Sequence, residues 1–385
     1  MFSNRVPASL APNLFAQARA RLGSVPYDLT VANPTLSEID YPENLLEPLG
    51  RPEGLAYRPD PRGLAEARDA VAEEYRSRGL AVDPGAVVLS ASTSEAYSLL
   101  FRLLCDPGGA VLVPAPSYPL FEHLASLDGV RAVAYPLDPA SGFEPDLGGV
   151  AAGDLRALVL VHPNNPTGTY VSRRSAAEAV GVCARRGIAM IVDEVFHAYA
   201  LPPAVAAPSF ATTDEVLTFT LGGLSKHVGL PQLKLAWTIV TGPDPSVREA
   251  LERLSFIADQ YLSVGTPVQL ALRHFFNEGA AVRGGILSRC LANLRSLEAE
   301  VARVRAVTLV RPEGGWSAVL RFPNVVDEER LVVALLEEDG VAVHPGYFFD
   351  FPGDGHLSVS LLPPPPIFTE GVRRVLARIA REIEP

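Results

Sequence analysis

Two lysines, Lys226 and Lys234, are the only lysines in this chain of 385 residues, and they lie eight residues apart. The other strongly basic residues are all arginine. Arginine stays charged, whereas a lysine amine can lose its proton near neutral pH and attack a carbonyl to form a Schiff base. Lysines that remain by chance would be scattered along the chain. The pair therefore favours Lys226, in a Gly-Gly-Leu-Ser-Lys turn after an apolar run, as an imine-forming lysine.

A carboxylate and a pair of hydroxyls are the next candidates for chemistry. Asp193 ends the apolar run at residues 188–192, and a buried carboxylate is costly unless it meets a cation. Ser92 and Thr93 open a predicted helix. Ser92 with Glu95 fits a capping box, and the free N–H groups and dipole of the same helix end would also seat a phosphate.

Two further predicted turns contain short motifs rich in proline, glycine or asparagine. Residues 114–119 read P-A-P-S-Y-P, a rigid extended turn that presents the aromatic ring of Tyr118. Packing alone is the alternative role for this ring. Residues 165–168 read N-P-T-G and directly follow a predicted strand.

Four motifs occur in the order of a known family. G-G-L-S-K-H-V-G-L-P (222–231), N-P-T-G (165–168), P-x-P-x-Y-P (114–119) and Y-x-P-x-x-x-G (57–63) resemble those of the class I/II pyridoxal-phosphate-dependent aminotransferases. This is the aspartate aminotransferase-like family of fold type I, and the resemblance covers nearly the whole chain. It implies transfer of an amino group between an α-amino acid and a 2-oxo acid through a Schiff base on Lys226.

The resemblance also implies a cofactor, pyridoxal 5′-phosphate, and the residues that hold it. Lys226 and Asp193 would be catalytic, with Asp193 keeping the pyridine nitrogen protonated so that the ring withdraws electrons. Asn165 would donate its amide to the phenolic oxygen of the cofactor. The other cofactor-binding residues would be Ser92, Thr93, Ser225 and Lys234 around the phosphate, Tyr118 stacked on the ring, and Tyr57 reaching the phosphate of the neighbouring subunit.

The implied partners are small molecules and a second copy of the chain. A Tyr57 that crosses to the neighbouring subunit implies a homodimer with shared active sites. The substrate, an amino donor or a 2-oxo acid, would meet Asn33 in an N-terminal loop, Asn165, and Trp316 in a Gly-Gly-Trp turn. No metal site is expected.

The chain departs from the family pattern at four positions. Phe196 replaces a common tyrosine, and Tyr199 is a candidate to compensate for it. Gly223 replaces a phosphate-binding serine of several members, and Lys234 replaces the usual phosphate-binding arginine. Ser358 stands where an arginine usually binds the α-carboxylate of the substrate. A hydroxyl is a poor replacement for a bidentate arginine–carboxylate pair, so we expect unusual specificity.

Other functions remain open at this point. The same scaffold carries lyases and decarboxylases, and the missing arginine also fits an amine transaminase. A cofactor-sensing domain of a transcription regulator is a further alternative. It is disfavoured because only about 45 residues precede the predicted large domain and the net charge is −11.

The elements that must position these residues alternate along the chain. Seven β-rich runs separated by helical stretches begin near residues 86, 110, 131, 157, 188, 216 and 235. Such runs are typical of a mostly parallel sheet covered on both faces, an α/β fold. A smaller α+β domain should follow. The predicted division is residues 1–45 as an N-terminal arm and part of the small domain, 46–280 as the large cofactor-binding domain, and 281–385 as the small domain, with a helix break at Gly279.

Composition excludes several classes of protein. Apolar residues at 48% and charged residues at 20% indicate a globular chain. The charge of −11 argues against binding nucleic acid or an anionic membrane. Three distant cysteines form neither a disulfide framework nor a zinc spacing. No apolar run reaches the ~18 residues of a membrane span, so we expect a cytoplasmic protein.

Overall fold

The computed structural model describes residues 2–149, 153–353 and 355–383. No helix within these ranges combines the length and apolar composition that crossing a bilayer requires. The α-helices of these ranges are α1 (Leu14–Leu22), α2 (Ala65–Ser77), α3 (Thr93–Leu104), α4 (Phe121–Leu127), α5 (Arg173–Arg186), α6 (Leu224–His227), α7 (Asp244–Asp259), α8 (Thr266–Val301), α9 (Glu328–Glu337) and α10 (Pro365–Ile383). The strands are β1 (Tyr27–Asp28), β2 (Val87–Ser90), β3 (Ala110–Ala115), β4 (Arg131–Asp138), β5 (Glu144–Pro145), β6 (Leu155–Val161), β7 (Ala189–Asp193), β8 (Thr218–Gly223), β9 (Ala236–Thr241), β10 (Thr308–Val310), β11 (Ser317–Arg321), β12 (Val341–Ala342), β13 (His344–Pro345) and β14 (His356–Ser360).

The large sheet has the order β2-β9-β8-β7-β6-β3-β4-β5. Strands β8, β7, β6, β3 and β4 are parallel, whereas β9 is antiparallel to both of its neighbours. All seven predicted runs form strands of this sheet, which confirms the predicted α/β class. The eighth strand, β5, was not predicted, because its two residues, Glu144 and Pro145, have no apolar pattern and pair only with the end of β4.

Helices cover both faces of the large sheet, as the continuous apolar strands require. Val111, Val159 and Ile191 face a cluster formed with α3, α4 and α7. Leu158 and Met190, one residue away on the same strands, face a second cluster with α5. Alternate residues of one strand therefore enter two separate cores.

The predicted helix break at Gly279 is wrong. Helix α8 runs without interruption from Thr266 to Val301. Gly279 is buried, and a Cβ built on it would lie 2.7 Å from the Cβ of Val228. The glycine therefore permits close packing of α8 against the segment after Lys226, at the usual cost of about 1 kcal/mol for a glycine within a helix.

The C-terminal part of the chain forms a second sheet, in the order β10-β11-β14-β13. The N-terminal strand β1 pairs in parallel with β12, which agrees with a small domain that includes part of the N-terminal segment. The predicted boundaries, 1–45, 46–280 and 281–385, stay predictions.

Helices form in both terminal segments. Residues 14–22 form α1, begun by the Asn13 side chain, which accepts a hydrogen bond from the N–H of Ala16. Four prolines occupy positions 363–366, and α10 starts among them, at Pro365. Proline lacks an N–H and has a helical φ, and both properties suit the first turn of a helix.

Candidate active site

The carboxyl ends of three neighbouring parallel strands bring the predicted segments together. Val161 of β6 lies beside Asp193 of β7, which lies beside Leu221 of β8. The N-P-T-G turn and the Gly-Gly-Leu-Ser-Lys turn leave the sheet at this edge. Ligands of open parallel sheets bind outside the carboxyl ends of the strands, so this is the expected position of a site.

Lys226 lies in the short helix α6, directly after β8, and aromatic rings enclose its amine. Its Nζ lies 5.0 Å from the ring centroid of Trp316 and 5.6 Å from that of Phe196. Burial lowers the pKa of Lys226 to about 8, and the charge of Asp193 acts in the opposite direction. A substantial fraction of the amine is therefore uncharged at slightly alkaline pH, as a nucleophile requires. Trp316, predicted to face the substrate, lies beside the lysine.

Tyr199 holds the backbone of the lysine turn. Its hydroxyl donates a hydrogen bond of 2.7 Å to the carbonyl oxygen of Lys226, and its ring packs edge-on against Trp316 at 5.2 Å between centroids. The sequence suggested Tyr199 as a replacement for the hydroxyl that Phe196 lacks. This suggestion does not fit the structure, because the Tyr199 hydroxyl is already bound to the lysine carbonyl.

Asp193 is a buried anion at the end of β7. Its Oδ1 accepts a hydrogen bond of 3.1 Å from the N–H of Val195, and its Oδ2 accepts one of 3.2 Å from the hydroxyl of Tyr97. Burial raises the pKa of Asp193 to about 6, although these hydrogen bonds and the charge of Lys226 lower it. Tyr97 is not among the residues predicted for the site. The available signal was its position four residues after Thr93, which places both side chains on one face of α3.

The proline-rich turn and the N-P-T-G turn interlock through Asn164. Asn164 accepts a hydrogen bond of 2.7 Å from the hydroxyl of Ser117, and its amide donates to the carbonyl of Pro116 and to the hydroxyl of Thr167. These bonds fix the neighbouring Asn165, which is partly exposed. Tyr118 is 36% exposed and contacts Phe121 edge-on at 6.2 Å between centroids. The two predicted ring-binding residues thus lie on connected turns.

The predicted phosphate residues converge at the other end of this edge. Ser90 of β2 and Gly223 of β8 are both register partners of Ala236 in β9. The chain continues from these positions to Ser92 and Ser225, and Lys234 precedes Ala236 by two residues.

The start of α3 has one of the two hydrogen bonds of the predicted capping box. The hydroxyl of Ser92 accepts a hydrogen bond of 3.1 Å from the N–H of Glu95. The Glu95 carboxylate accepts one of 2.6 Å from the N–H of Ala91, one residue before the helix cap, instead of from Ser92. Thr93 is the first residue of the helix. Lys234 is exposed and has a left-handed φ of 52°.

Close packing explains the glycines before the lysine. A Cβ on Gly222 would lie 2.4 Å from the indole nitrogen of Trp237, and one on Gly223 would lie 3.2 Å from the Cβ of Ala236. The contact at Gly222 excludes a side chain, whereas one at position 223 would require Ala236 to give by a few tenths of an ångström.

Two predicted residues do not contact the lysine. Tyr57 is 79% exposed on the surface of the single chain. The side chain of Asn33 accepts hydrogen bonds from the N–H and the hydroxyl of Thr35, at 3.1 and 2.8 Å. Their predicted roles stay predictions.

The side chains paired directly with Ser358 are uncharged. Ser358 pairs with Val319 on one side and His344 on the other, so the three side chains share one face of the small sheet. Burial lowers the pKa of His344 to about 4, so this imidazole is uncharged near neutral pH. A hydroxyl and a neutral ring thus replace the arginine of the family pattern.

Three buried side chains behind the site are close enough to share a metal ion: His162, Glu194 and His197. Hydrogen bonds engage the ligand atoms of His197 and Glu194. His197 has Arg78 at 2.6 Å and the carbonyl of Ala207 at 2.8 Å, and the two oxygens of Glu194 accept from Ser209 and Phe210. Because His162 Nδ1 accepts from the N–H of Val171, its Nε2 must carry the proton of the neutral ring. The hydrogen bonds of His197 and Glu194 tie the cluster to the segment at residues 207–210.

Comparison with known proteins agrees with this arrangement. A family model described as aminotransferase class I and II matches residues 30–365. The chain is 27% identical to the glutamate-pyruvate aminotransferase AlaA of Haemophilus influenzae, over 92% of this chain and 89% of that protein. It is 29% identical to a valine–pyruvate aminotransferase of Mycobacterium tuberculosis, over 81% of each chain. The solved structure of an alanine aminotransferase from Pyrococcus furiosus superposes with a TM-score of 0.88 at 24% identity, over 99% of this chain and all of the other. The extent of the family match shows that this chain belongs to the class I and II aminotransferases and is an aminotransferase.

Proposed function

We propose that this aminotransferase uses pyridoxal 5′-phosphate, bound to Lys226 as a Schiff base, to move an amino group between an α-amino acid and a 2-oxo acid. The observation that carries the proposal is the pair formed by the half-buried Lys226 and the buried Asp193 at one edge of the sheet. The pKa of each is moved by burial towards neutrality. Such paired shifts in one site are typical of catalytic groups.

The residues at the site fit this cofactor. The Asp193 carboxylate is buried, so a cationic ring nitrogen beside it would compensate the cost of that burial. The uncharged amine of Lys226 is the form that could react with the aldehyde group of this cofactor. Near Ser92 and Thr93, the N–H groups at the start of α3 suit an anion such as a phosphate.

When bound, the cofactor supplies a ring that withdraws electrons from the bond to the substrate α-carbon. Lys226 would use Nζ as the base that takes the proton from that carbon and as the acid that gives it back. Asp193 would keep a ring nitrogen protonated. Tyr118 and Asn165 would orient the ring, and Lys234 would contribute a positive charge near the phosphate without the bidentate geometry of arginine.

The substrates that we propose are small amino acids and 2-oxo acids. The support is the similarity to proteins named for alanine, glutamate, valine and pyruvate. A panel of amino donors, each added to the loaded enzyme without an acceptor, tests this proposal. Conversion of the bound cofactor to its amine form by at least one amino acid supports it, and conversion by none of them contradicts it.

A second candidate, an amine transaminase, is favoured by Ser358 and its two uncharged strand partners, which stand where the family pattern has an arginine. The comparison that decides is between an accepted amino acid and the amine formed by removing its carboxyl group. If a real contact binds the α-carboxylate, its loss should cost ~1.5–3 kcal/mol, or about ten- to a hundredfold in kcat/KM. We expect this loss, with Asn165, the backbone near Asn33 or an arginine from another part of the chain as the contact. Equal turnover of the amine would replace the α-amino acid assignment by an amine transaminase.

We also propose a homodimer in which Tyr57 of one subunit reaches the phosphate bound by the other. In support, Tyr57 and Leu55 are 79% and 91% exposed, next to an open cleft of about 950 Å³ that is lined by Arg58 and His274. Tyr57→Phe should then weaken cofactor binding by roughly ten- to a hundredfold, as expected for a lost hydrogen bond to a charged group.

Mixed dimers test this sharing. Tyr57→Phe subunits mixed with Lys226→Ala subunits should form heterodimers with one native site, because the lysine and the tyrosine of that site come from different chains. Cofactor titration should show native affinity at one of the two sites, and activity should recover above that of both parents. Mixing without recovery would show that each site is built from a single chain.

A further inference from the structure

We propose that Tyr97 is a positioning residue for Asp193: its phenol keeps the carboxylate ionised and fixes the direction of its unused lone pairs. The consequence for the cofactor rests on the proposed function, because Asp193 is the residue that we assign to the ring nitrogen. The effect on Asp193 itself belongs to the protein alone and can be measured without a cofactor.

Two elements hold the carboxylate, one at each oxygen. Tyr97 on α3 donates to Oδ2 at 3.2 Å, and the N–H of Val195, after β7, donates to Oδ1 at 3.1 Å. Rotation about the Cβ–Cγ bond of Asp193 would break at least one of these hydrogen bonds. Each carboxylate oxygen can accept more than one hydrogen bond, so the held group still has lone pairs of fixed direction for a further donor.

Aromatic packing fixes the phenol in turn. Tyr97 is 1% exposed and lies edge-on to Phe121 at 5.3 Å between centroids, with Phe101 at 5.9 Å. Phe121 also contacts Tyr118, the ring assigned to stack on the cofactor, at 6.2 Å. A single phenylalanine therefore supports both the residue that holds Asp193 and the residue that covers the ring.

The charges around Asp193 give the phenol an electrostatic effect. Burial raises the pKa of Tyr97 well above its ordinary value, and the charge of Asp193 acts in the same direction, so the phenol stays protonated as a donor. For Asp193, burial and Glu194 raise the pKa, whereas Val195, Tyr97 and Lys226 lower it. Tyr118 also faces this carboxylate, whose charge contributes to a raised pKa of the Tyr118 phenol. Without the phenol, fewer groups would lower the pKa of Asp193, so burial would raise it further and favour the protonated acid.

A buried tyrosine could also serve only to fill the core, and Tyr135 provides the matched control. Tyr135 is likewise 1% exposed, and its hydroxyl donates a hydrogen bond of 2.8 Å to the carbonyl oxygen of Val159. Tyr135→Phe removes one buried hydroxyl, on β4, whose hydrogen bond does not involve Asp193. A purely structural effect should appear in both variants.

The test measures the pH midpoint at which Asp193 ionises in the cofactor-free protein. Infrared difference spectroscopy monitors the carboxyl group, and the spectrum of the Asp193→Asn variant is subtracted to isolate its signal. Tyr97→Phe should raise the midpoint by about one pH unit, as expected for a lost hydrogen bond to a charged group. In the loaded enzyme, kcat should fall by up to about tenfold with KM little changed. An unchanged midpoint, or an equal shift in Tyr135→Phe, would overturn the proposal.

A second substitution changes the phenol without removing it. Replacing Tyr97 by 3-fluorotyrosine makes the hydroxyl a stronger donor and should lower the Asp193 midpoint, the opposite direction to Tyr97→Phe. No downward shift would overturn the proposal even if Tyr97→Phe failed to fold. If the midpoints move as expected but no cofactor binds to Lys226, the proposed function fails while the role of Tyr97 stands.

Discussion

Lys226→Ala should abolish the borohydride-reducible linkage between protein and cofactor and should remove turnover. The alanine has neither an amine to attack the aldehyde nor a base at the substrate α-carbon. General acid–base catalysis alone contributes roughly 10²–10⁴-fold, so the loss of kcat should be at least of this order. Reduction followed by mass measurement of the intact protein, together with single-turnover kinetics, checks both parts.

The matched control is the only other lysine of the chain. Lys234→Arg keeps a positive charge near the predicted phosphate and introduces the fork that binds phosphate through two hydrogen bonds. This variant should keep the linkage and turnover and should bind the cofactor at least as tightly. A Lys226→Ala protein that still carried a reducible linkage would show that the amine has been assigned to the wrong residue.

Asp193→Asn should reduce activity while it stabilises the cofactor-free protein. Loss of a preorganised charge in a catalytic site costs roughly 10²–10³-fold in kcat. Stability moves in the other direction because the folded protein holds Asp193 at a pKa of about 6, above its ordinary value of 3.8. The stability linked to this carboxyl is fully present below the ordinary value and is lost as the pH rises through 6.

The asparagine variant has no carboxyl to ionise and should escape this loss. Its free energy of unfolding should exceed that of the wild type by about 3 kcal/mol at pH 7.5, and the difference should disappear below about pH 4. Urea unfolding at several pH values measures this window. The control is Asp214→Asn, at an exposed position, which should show no comparable difference. A destabilised Asp193→Asn protein at pH 7.5 would contradict the account of Asp193 as a costly buried anion.

The strands of the large sheet can be predicted from the sequence because a sheet covered on both faces requires continuous apolar runs. β5 cannot, since it forms by backbone pairing of two residues without such a run. The continuity of α8 is also hidden from the sequence. A glycine is typical of a helix end, and only the contact of Gly279 with Val228 shows why this glycine lies within the helix.

At the site, the residues on turns after strands could be predicted, whereas the groups that support them could not. Asp193 follows an apolar run, and its burial can be inferred from that position alone. Its hydrogen-bond donor, Tyr97, comes from a helix 96 residues earlier. The spacing from Thr93 places Tyr97 on the site face of α3 but does not show that its hydroxyl reaches Asp193. Tyr199 likewise shows its role only through contact with the carbonyl of Lys226.

The most direct test of the central claim is reduction of the loaded enzyme by borohydride before and after one amino donor is added, followed by peptide mass mapping. With only two lysines in the chain, the position of the label is unambiguous. Before the donor, we predict one pyridoxyl group per chain, on Lys226. After the donor, the label should be absent, with one equivalent each of pyridoxamine phosphate and 2-oxo acid released. A label on Lys234, or a label on Lys226 that persists while the donor is consumed, would contradict an aminotransferase that works through Lys226.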